Sequence, residues 1–142
     1  MRKKSFDDIK IGERFSDSLT VTETHLVLAA SLFKDFNPLH TDEEYAKKTR
    51  FKGRVAHGPL TAGIMSGVLG NYFAGTAIAY LEQTTRFVSP VRAGDTITTE
   101  WKAVEKEPKP NCDGGIVTLE ARCTNQHGKM VAEGKGKILV SK

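Results

Sequence analysis

The amino-acid sequence predicts an α+β domain in which one antiparallel sheet packs around one long helix. Apolar residues recur at three- and four-residue spacing in the first half of the chain, which is typical of helices. After Gly75 they alternate with polar residues, which is typical of strands. Turn sequences join these alternating segments without long helical crossovers, so neighbouring strands are expected to be antiparallel. The 142 residues are interpreted as one domain, residues 1–142.

Before the long helix, the sequence predicts an extended segment and two shorter helices. Residues 11–21 fit a first strand or an extended arm. A helix begins at Thr22 and is expected to end just before Asn37, because a residue that precedes proline is disfavoured in the helical conformation. Thr41–Glu44 fits a capping box that opens a second, short helix.

The long helix is predicted over Gly58–Phe73, where Pro59 suits the first turn. Three glycines, Gly63, Gly67 and Gly70, lie inside it, and each costs a helix up to about 1 kcal/mol relative to alanine. This cost is tolerable where bare backbone must lie close against something. The helix is therefore expected to be buried and wrapped by the sheet.

Four segments alternate between apolar and polar residues and are predicted to be strands. They cover Ala79–Phe87, Ile97–Ala103, Val117–Cys123 and Ala132–Val140. Turn residues lie between these strands. Arg92–Asp95 precedes the second strand, Pro108–Gly115 separates the second from the third, and Gln126–Lys129 separates the third from the fourth.

Composition excludes several classes of protein. The net charge of +4 permits anion binding, but 21 Lys and Arg are interleaved with 17 acidic residues and no nucleic-acid-binding module is visible. No apolar run reaches the roughly 18 residues of a membrane span, so a cytoplasmic protein is expected. Cys112 and Cys123 fit neither a disulfide framework nor a zinc pattern. The densest basic segment, residues 46–54, is either solvated surface or a binding place for ligand phosphates.

The connection between the first two helices, KDFNPLH, holds the strongest candidates for catalysis. Asp35 lies near the end of the first helix and His40 just before the second, so the Asn-Pro bend lets both side chains point into one space. A carboxylate and an imidazole that share a water form an acid–base pair. The alternative is that both residues only cap helix ends.

Two further candidates stand at the start of the long helix. Gly58 leaves free N–H groups at the positive end of the helix dipole, which suits a developing oxyanion. For His57 a loop or capping role is the simpler interpretation, and His25 and His127 are interpreted as structural or solvated. The sequence contains no nucleophile elbow and no Gly-rich phosphate loop.

Three motifs together resemble the MaoC-like family, whose members include R-specific enoyl-CoA hydratases. Residues 35–40 read DFNPLH, residues 55–58 read VAHG, and residues 87–95 read FVSPVRAGD. The likeness covers nearly the whole chain, and the six-residue Asp-to-His motif is its most specific part. One departure is Lys34, where many relatives carry a small residue, often glycine.

The resemblance implies a hot-dog fold, an antiparallel sheet wrapped around a long central helix, in homodimers whose sites lie at the subunit interface. It implies an acyl-CoA thioester as substrate, and neither nucleic acid nor membrane as partner. No metal or redox cofactor is required. The implied reaction is syn addition of water across a trans-2-enoyl thioester, giving an (R)-3-hydroxyacyl-CoA. The implied catalytic residues are Asp35, His40 and Gly58, and the candidates for substrate binding are Asn37, His57, Arg50, Lys52 and Arg54.

Two alternatives remain beside the hydratase. A hot-dog acyl-CoA thioesterase also activates water but does not need the Asp-Asn-Pro-His spacing. A non-catalytic module that binds acyl-CoA or an acyl carrier protein needs no acid–base pair, so the presence of both Asp35 and His40 speaks against it.

Overall fold

A computed structural model of the chain describes residues 3–142. Its first half is mostly helical and its second half is a set of long strands. The elements are β1 (Arg14–Thr20), α1 (Glu23–Phe33), α2 (Pro38–Thr41), α3 (Glu43–Lys47), α4 (Gly58–Tyr72), β2 (Ala77–Phe87), β3 (Thr96–Lys109), β4 (Gly114–Thr124) and β5 (Met130–Ser141). A short 3₁₀ turn, Pro110–Cys112, joins β3 to β4.

The strands form one five-stranded sheet in the order β1-β3-β4-β5-β2, and every neighbouring pair is antiparallel. The predicted antiparallel sheet is therefore confirmed. Strands β3, β4 and β5 occupy its centre, and β1 and β2 are its edges. The alternation seen in the sequence marks the buried face of β3, where Ile97, Thr99, Trp101 and Ala103 are all buried.

The buried face of the sheet packs against α4. One stripe of this helix, Thr61, Met65 and Leu69, is buried. The indole of Trp101 is fully buried and donates a 2.9 Å hydrogen bond from Nε1 to the carbonyl oxygen of Met65. This bond satisfies the polar atom of a large core side chain and ties β3 to the helix. The predicted arrangement, a sheet wrapped around one long helix, is confirmed.

The glycines of α4 depart from expectation. Gly63, Gly67 and Gly70 are exposed, and a Cβ added at any of them would meet nothing within 4 Å. The expectation that their bare backbone lies close against something is therefore not met by any part of residues 3–142. These three residues are called the glycine stripe below. None of the helices in residues 3–142 is long and apolar enough to cross a membrane.

Helix α1 begins as predicted, with Thr22 as its N-cap. The second capping prediction is wrong in detail, because Asp42 and not Thr41 is the N-cap of α3 and accepts a 3.0 Å bond from the N–H of Tyr45. The Thr41 hydroxyl instead donates to the carbonyl oxygens of Phe36 and Asn37. The chain forms one additional turn of helix there, α2, which the sequence pattern did not predict.

Candidate active site

Asp35 is delivered by the end of α1. Lys34 closes that helix in the left-handed conformation, with φ of 54°, and the N–H of Asp35 donates a 3.1 Å bond to the carbonyl oxygen of Ala30. The chain therefore reverses direction abruptly, and Asp35 lies just beyond the last turn. A left-handed backbone favours glycine, so Lys34 occupies a position that strains an L residue.

The Asp35 carboxylate is oriented by the bend that follows it. Its Oδ1 accepts a 3.1 Å bond from the N–H of Asn37. The side chain of Asn37 accepts a 3.0 Å bond from the N–H of Leu39 and caps α2. Asn37 thus braces the loop at two points, as side-chain and backbone bonds of this kind commonly do in turns. The second oxygen of Asp35, Oδ2, faces His40.

His40 lies inside α2, and its ring contacts the loop that precedes α4. Its Nδ1 lies 2.7 Å from the carbonyl oxygen of Val55. A carbonyl only accepts hydrogen bonds, so Nδ1 carries the proton and Nε2 is bare in the neutral ring. Nε2 lies 3.9 Å from Asp35 Oδ2, with the His40 side chain 15% exposed and that of Asp35 47% exposed. This separation is too long for a direct hydrogen bond, and both atoms are left to accept from a shared water.

His57 lies behind this pair. Its side chain is 1% exposed, and its Nε2 lies 3.0 Å from the carbonyl oxygen of Asp35. Its ring stacks on that of His40, with centroids 3.9 Å apart and planes inclined by 27°. In the single chain this ring is buried and does not line the cavity at Gly58, so the expectation that His57 binds substrate stays a prediction.

Gly58 opens α4 beside the histidine pair. Within residues 3–142 its N–H has no hydrogen-bond partner, and its N-cap, His57, makes no side-chain bond to the helix. Gly58 lies in the wall of a cavity of about 350 Å³, which Phe87 also lines. A Cβ at Gly58 would meet the Phe87 ring at 3.0 Å. Asp35 and His40 do not line this cavity in the single chain, and both are only partly exposed.

Comparison with known proteins decides the family. A family model described as MaoC like domain matches residues 7–123. The chain belongs to the MaoC-like family. The sheet around α4 is the hot-dog fold of this family, and it explains how widely separated motifs meet at one end of one helix.

Relatives of this MaoC-like chain include hydratases over nearly its full length. An (R)-specific enoyl-CoA hydratase from Rhodospirillum rubrum is 40% identical, and the match covers 95% of this chain and 90% of that protein. One of the same name from Aeromonas caviae is 33% identical over 94% of this chain and 97% of that protein. The solved R-hydratase PhaJ1 from Pseudomonas aeruginosa superposes with a TM-score of 0.87 at 32% identity, covering 99% of this chain and 87% of that one.

One set of potential metal ligands comes together in the described part of this MaoC-like domain. The donor atoms of Asp35, His40 and His57 lie within 4.8 Å of one another. However, metal ions bind imidazole in the plane of the ring, and the two rings are stacked and only 27° from parallel. One ion therefore cannot lie in both ring planes, and the arrangement suits a hydrogen-bonded water better.

The basic residues of segment 46–54 differ in their contacts. Arg54 contacts both Glu23, at 2.7 Å, and Glu43, at 2.9 Å. The hydrogen bond to Glu23, followed by that to Glu43, raises the pKa of Arg54, and the hydrogen bond from Arg54 lowers the pKa of Glu43. The Arg54 guanidinium thus connects α1 to α3, and a role for it in binding phosphate stays a prediction.

Arg50 and Lys52 are exposed, and the structure gives neither an acidic partner among the described residues. Arg50 lies over the Phe51 ring, at 5.5 Å, and lines the cavity at Gly58. Lys52 lines a separate depression together with Arg54. The structure thus brings Arg50 near the open end of α4, and it places Lys52 on a different surface.

Sequence reasoning missed two contributors to the site. The carbonyl oxygen of Val55 sets the tautomer of His40, and no sequence signal marks a backbone acceptor. The Phe87 ring packs over Gly58 although it is 51% exposed. The sequence signals for it are a large aromatic residue at the end of a predicted strand and its place at the start of the motif FVSPVRAGD, neither of which shows that the ring packs on Gly58.

Proposed function

We propose that this protein is an R-specific enoyl-CoA hydratase, which adds water reversibly to a trans-2-enoyl-CoA and gives an (R)-3-hydroxyacyl-CoA. One observation carries the proposal. Two hydrogen-bond acceptors, Asp35 Oδ2 and His40 Nε2, face each other at 3.9 Å beside a helix start that no side chain caps. The similarity to two curated hydratases over more than nine-tenths of the chain supports the same reaction.

The pair is suited to holding one water in a defined orientation. An ionised carboxylate accepts hydrogen bonds only, and His40 in its Nδ1–H tautomer accepts at Nε2. A water between them donates one hydrogen to each, so its lone pairs point away from both. That oxygen is then positioned to attack a carbon atom, which is the purpose of an oriented nucleophile.

In the proposed step, the water oxygen forms a bond to C3 of the enoyl thioester while Asp35 removes one of its protons. The C2–C3 π electrons move towards the thioester carbonyl and create an enolate-like oxygen. The N–H of Gly58, at the positive end of α4, stabilises that oxygen; loss of such a donor typically costs about 3 kcal/mol in the barrier. A proton from the Asp35–His40 pair then reaches C2.

The same arrangement accounts for the stereochemical course. The hydroxyl group and the proton both come from one side of the substrate, where the Asp35–His40 pair lies, and this gives syn addition. In the reverse direction the pair removes the C2 proton and the hydroxyl leaves as water, so the enzyme is equally a hydro-lyase. Electron flow stays within the thioester and needs no redox partner.

A second copy of the chain is the proposed partner, and the catalytic pair is expected to lie near the interface. The glycine stripe of α4 is exposed, and β2 is an edge strand on which Ile78 and Leu81 are 50% and 45% exposed. Edge strands with apolar residues are rarely left uncovered in natural proteins. Light scattering coupled to gel filtration is expected to report a dimer, and a monomer at micromolar concentration would contradict this part of the proposal.

Arg50 is the proposed contact for the phosphates of CoA, with Lys52 as a second candidate. Arg50 lines the cavity at Gly58 and is not engaged by an acid among the described residues. Attraction between exposed charges weakens as salt rises. We therefore expect the KM for enoyl-CoA to rise with ionic strength, and the Arg50→Gln variant to lose most of that dependence.

The decisive experiment mixes the protein with crotonyl-CoA and follows two signals. Loss of the conjugated enoyl absorbance without release of free thiol supports the hydratase. Thiol release at the same rate would establish a thioesterase instead. If neither signal changes for enoyl-CoA substrates of several chain lengths while acyl-CoA still binds in calorimetry, the chain is a binding module.

A further inference from the structure

His57 has a set of contacts that the proposed reaction does not use. Its side chain is 1% exposed and contacts three neighbours. It bonds to the Asp35 carbonyl oxygen at 3.0 Å and stacks on the His40 ring, with centroids 3.9 Å apart. The edge of Phe33 meets it with centroids 5.8 Å apart. The ring therefore touches both members of the catalytic pair, and it is shielded from any ligand.

The hydrogen bond determines the tautomer of His57. Since the Asp35 carbonyl only accepts, Nε2 carries the proton and Nδ1 is bare. Nδ1 is buried and has no hydrogen-bond partner in the described residues. A buried nitrogen without a partner destabilises the folded state, so packing alone is a poor reason for an imidazole at this position. A phenyl ring would fill the same space without that penalty.

The position of His57 in the fold also indicates that its imidazole does more than fill space. It is the N-cap residue of α4, yet its side chain makes no bond to the helix. Capping side chains at the other helix starts, such as Asp42 on α3, do bond to their helices. The His57 side chain instead reaches Asp35, 22 positions earlier in the sequence. The imidazole thus links the start of α4 to the end of α1.

We propose that His57 is a positioning residue for the Asp35–His40 pair, holding the Asp35 backbone through its Nε2–H and supporting the His40 ring by stacking, without contacting the substrate. This inference deepens the proposed hydratase function and rests on it for its kinetic consequences. Displacement of a reacting group by about 1 Å can lower a rate about 10²-fold, so support of this kind is expected to appear in kcat.

Two variants separate the hydrogen bond from the ring stack. His57→Phe keeps a ring against His40 and removes the donor, whereas His57→Gln keeps an N–H donor and removes the ring. We expect kcat for crotonyl-CoA to fall about 10-fold or more in His57→Phe while KM changes less than about twofold, because the ground-state contacts are intact. Retention of more activity by His57→Gln than by His57→Phe is expected if the Asp35 carbonyl bond dominates.

The matched control removes a comparable buried bond far from the site. Thr76 is buried beyond the C-terminal end of α4, and its hydroxyl donates to the carbonyl oxygens of Lys4 and Phe73. The 15 residues of α4 place it roughly 20 Å from His57. Thr76→Val is expected to lower Tm with kcat per folded protein unchanged. An equal loss of kcat in Thr76→Val and His57→Phe would reduce His57 to a structural role and overturn the proposal.

A double-mutant cycle tests whether His57 acts through the pair. In a His40→Gln background, the further change His57→Phe is expected to lower the residual rate much less than it does in the wild type, because residues that act as a unit are not additive. Full additivity of the two changes would show that His57 acts independently of His40 and would overturn the proposal.

A tautomer measurement keeps the inference testable without any activity. Long-range ¹H–¹⁵N NMR spectra of the full chain, assigned with single variants of the four histidines, report which ring nitrogen carries the proton. We expect Nε2–H at His57 and Nδ1–H at His40. The Nδ1–H form at His57 would overturn the proposal even if hydration is observed. If the expected tautomers are found but no enoyl-CoA is hydrated, it is the proposed function that fails.

Discussion

Two helix starts in this protein use a histidine in opposite ways. At α1 the Thr22 side chain accepts from the N–H of His25, and His25 Nδ1 accepts a 2.9 Å bond from the N–H of Thr22. That terminus is closed by its own side chains. At α4 the histidine in the N-cap position, His57, turns away to Asp35, and the N–H of Gly58 keeps no partner in the described chain.

The difference separates side chains that stabilise a helix from side chains that are proposed to take part in the reaction. A capping side chain is worth about 1 kcal/mol, and α2 and α3 obtain it from Asn37 and Asp42. Among the α-helices of residues 3–142, only α4, which starts beside the proposed catalytic pair, has no side-chain cap. The uncapped start of α4 leaves its positive end available to the anionic oxygen of the proposed reaction, whereas the capped start of α1 does not.

The largest effect on activity is expected from Asp35→Asn. This variant tests whether the reaction takes place beside the uncapped start of α4. The amide keeps the size of the side chain and can still accept from the N–H of Asn37. Loss of the general base is expected to lower kcat at least about 10²-fold. His40→Gln should behave similarly, and the double variant should be little worse than either alone. Circular dichroism would confirm the fold, and a near-native rate in Asp35→Asn would locate the base elsewhere.

The next largest effect on activity is expected from substitution at the uncapped start of α4 itself. Gly58 is the first residue of α4, a position where proline is tolerated but supplies no N–H. Gly58→Pro is expected to lower kcat about 10²-fold, as removal of an oxyanion donor does.

Gly58→Ala is the matched control for this substitution. Its methyl group crowds the Phe87 ring in a similar way, at 3.0 Å, but it keeps the N–H. A smaller loss of kcat is therefore expected for alanine. Equal losses in the two variants would mean that crowding, and not the missing donor, is responsible.

At the closed start the expected effect is on stability alone. Thr22→Ala removes the capping hydroxyl and should lower the free energy of unfolding by about 1 kcal/mol, measured by urea denaturation, with kcat unchanged. Thr24→Ala, on an exposed position of the same helix, serves as the control and should change stability by only a few tenths of a kcal/mol. A marked loss of activity in Thr22→Ala would erase the distinction between the two starts.

The smallest expected effect is a pH dependence of stability that arises from the Arg54 ion pairs, which link α1 and α3. The hydrogen bond from Arg54 lowers the pKa of Glu43 below its ordinary value of 4.5. The stabilisation is therefore fully present above pH 4.5 and is lost as pH falls through the lowered pKa of the folded state. The difference in Tm between the wild type and Glu43→Gln should be constant near neutral pH and shrink in strong acid. A difference that vanishes above pH 4.5 would contradict this assignment.

Periodicity and punctuation predicted most of the fold. The alternation at Ile97–Ala103 marks buried positions because a strand has period two, and Pro59 marks the start of α4 because proline suits the first turn. The sheet order was not predictable from these signals, since β1 and β3 pair across more than seventy intervening residues. The exposure of the glycine stripe was also missed. Residue spacing predicts which side chains share one face of a helix, but it does not predict what packs against that face.

For the candidate site, the motif predicted which residues meet but not how each side chain is used. Asp35 and His40 are close because the Asn-Pro bend between them is short, and the sequence predicts local turns of this kind. The uses of His57 and Arg54 depend on partners at Asp35 and Glu23 that lie elsewhere in the chain, and sequence spacing carries no such information. Lys34, noted as a departure from the family, has a left-handed backbone that explains why glycine suits the position.

All the groups assigned to chemistry lie between Asp35 and Gly58, in a stretch that contributes no strand to the sheet. Its helices α2 and α3 are only four and five residues long, so the stretch depends on loops and on few contacts with the sheet. Segments of this kind open locally at lower free energy than a central sheet does. We therefore expect heating to abolish activity through a local opening of this stretch while most of the protein remains folded.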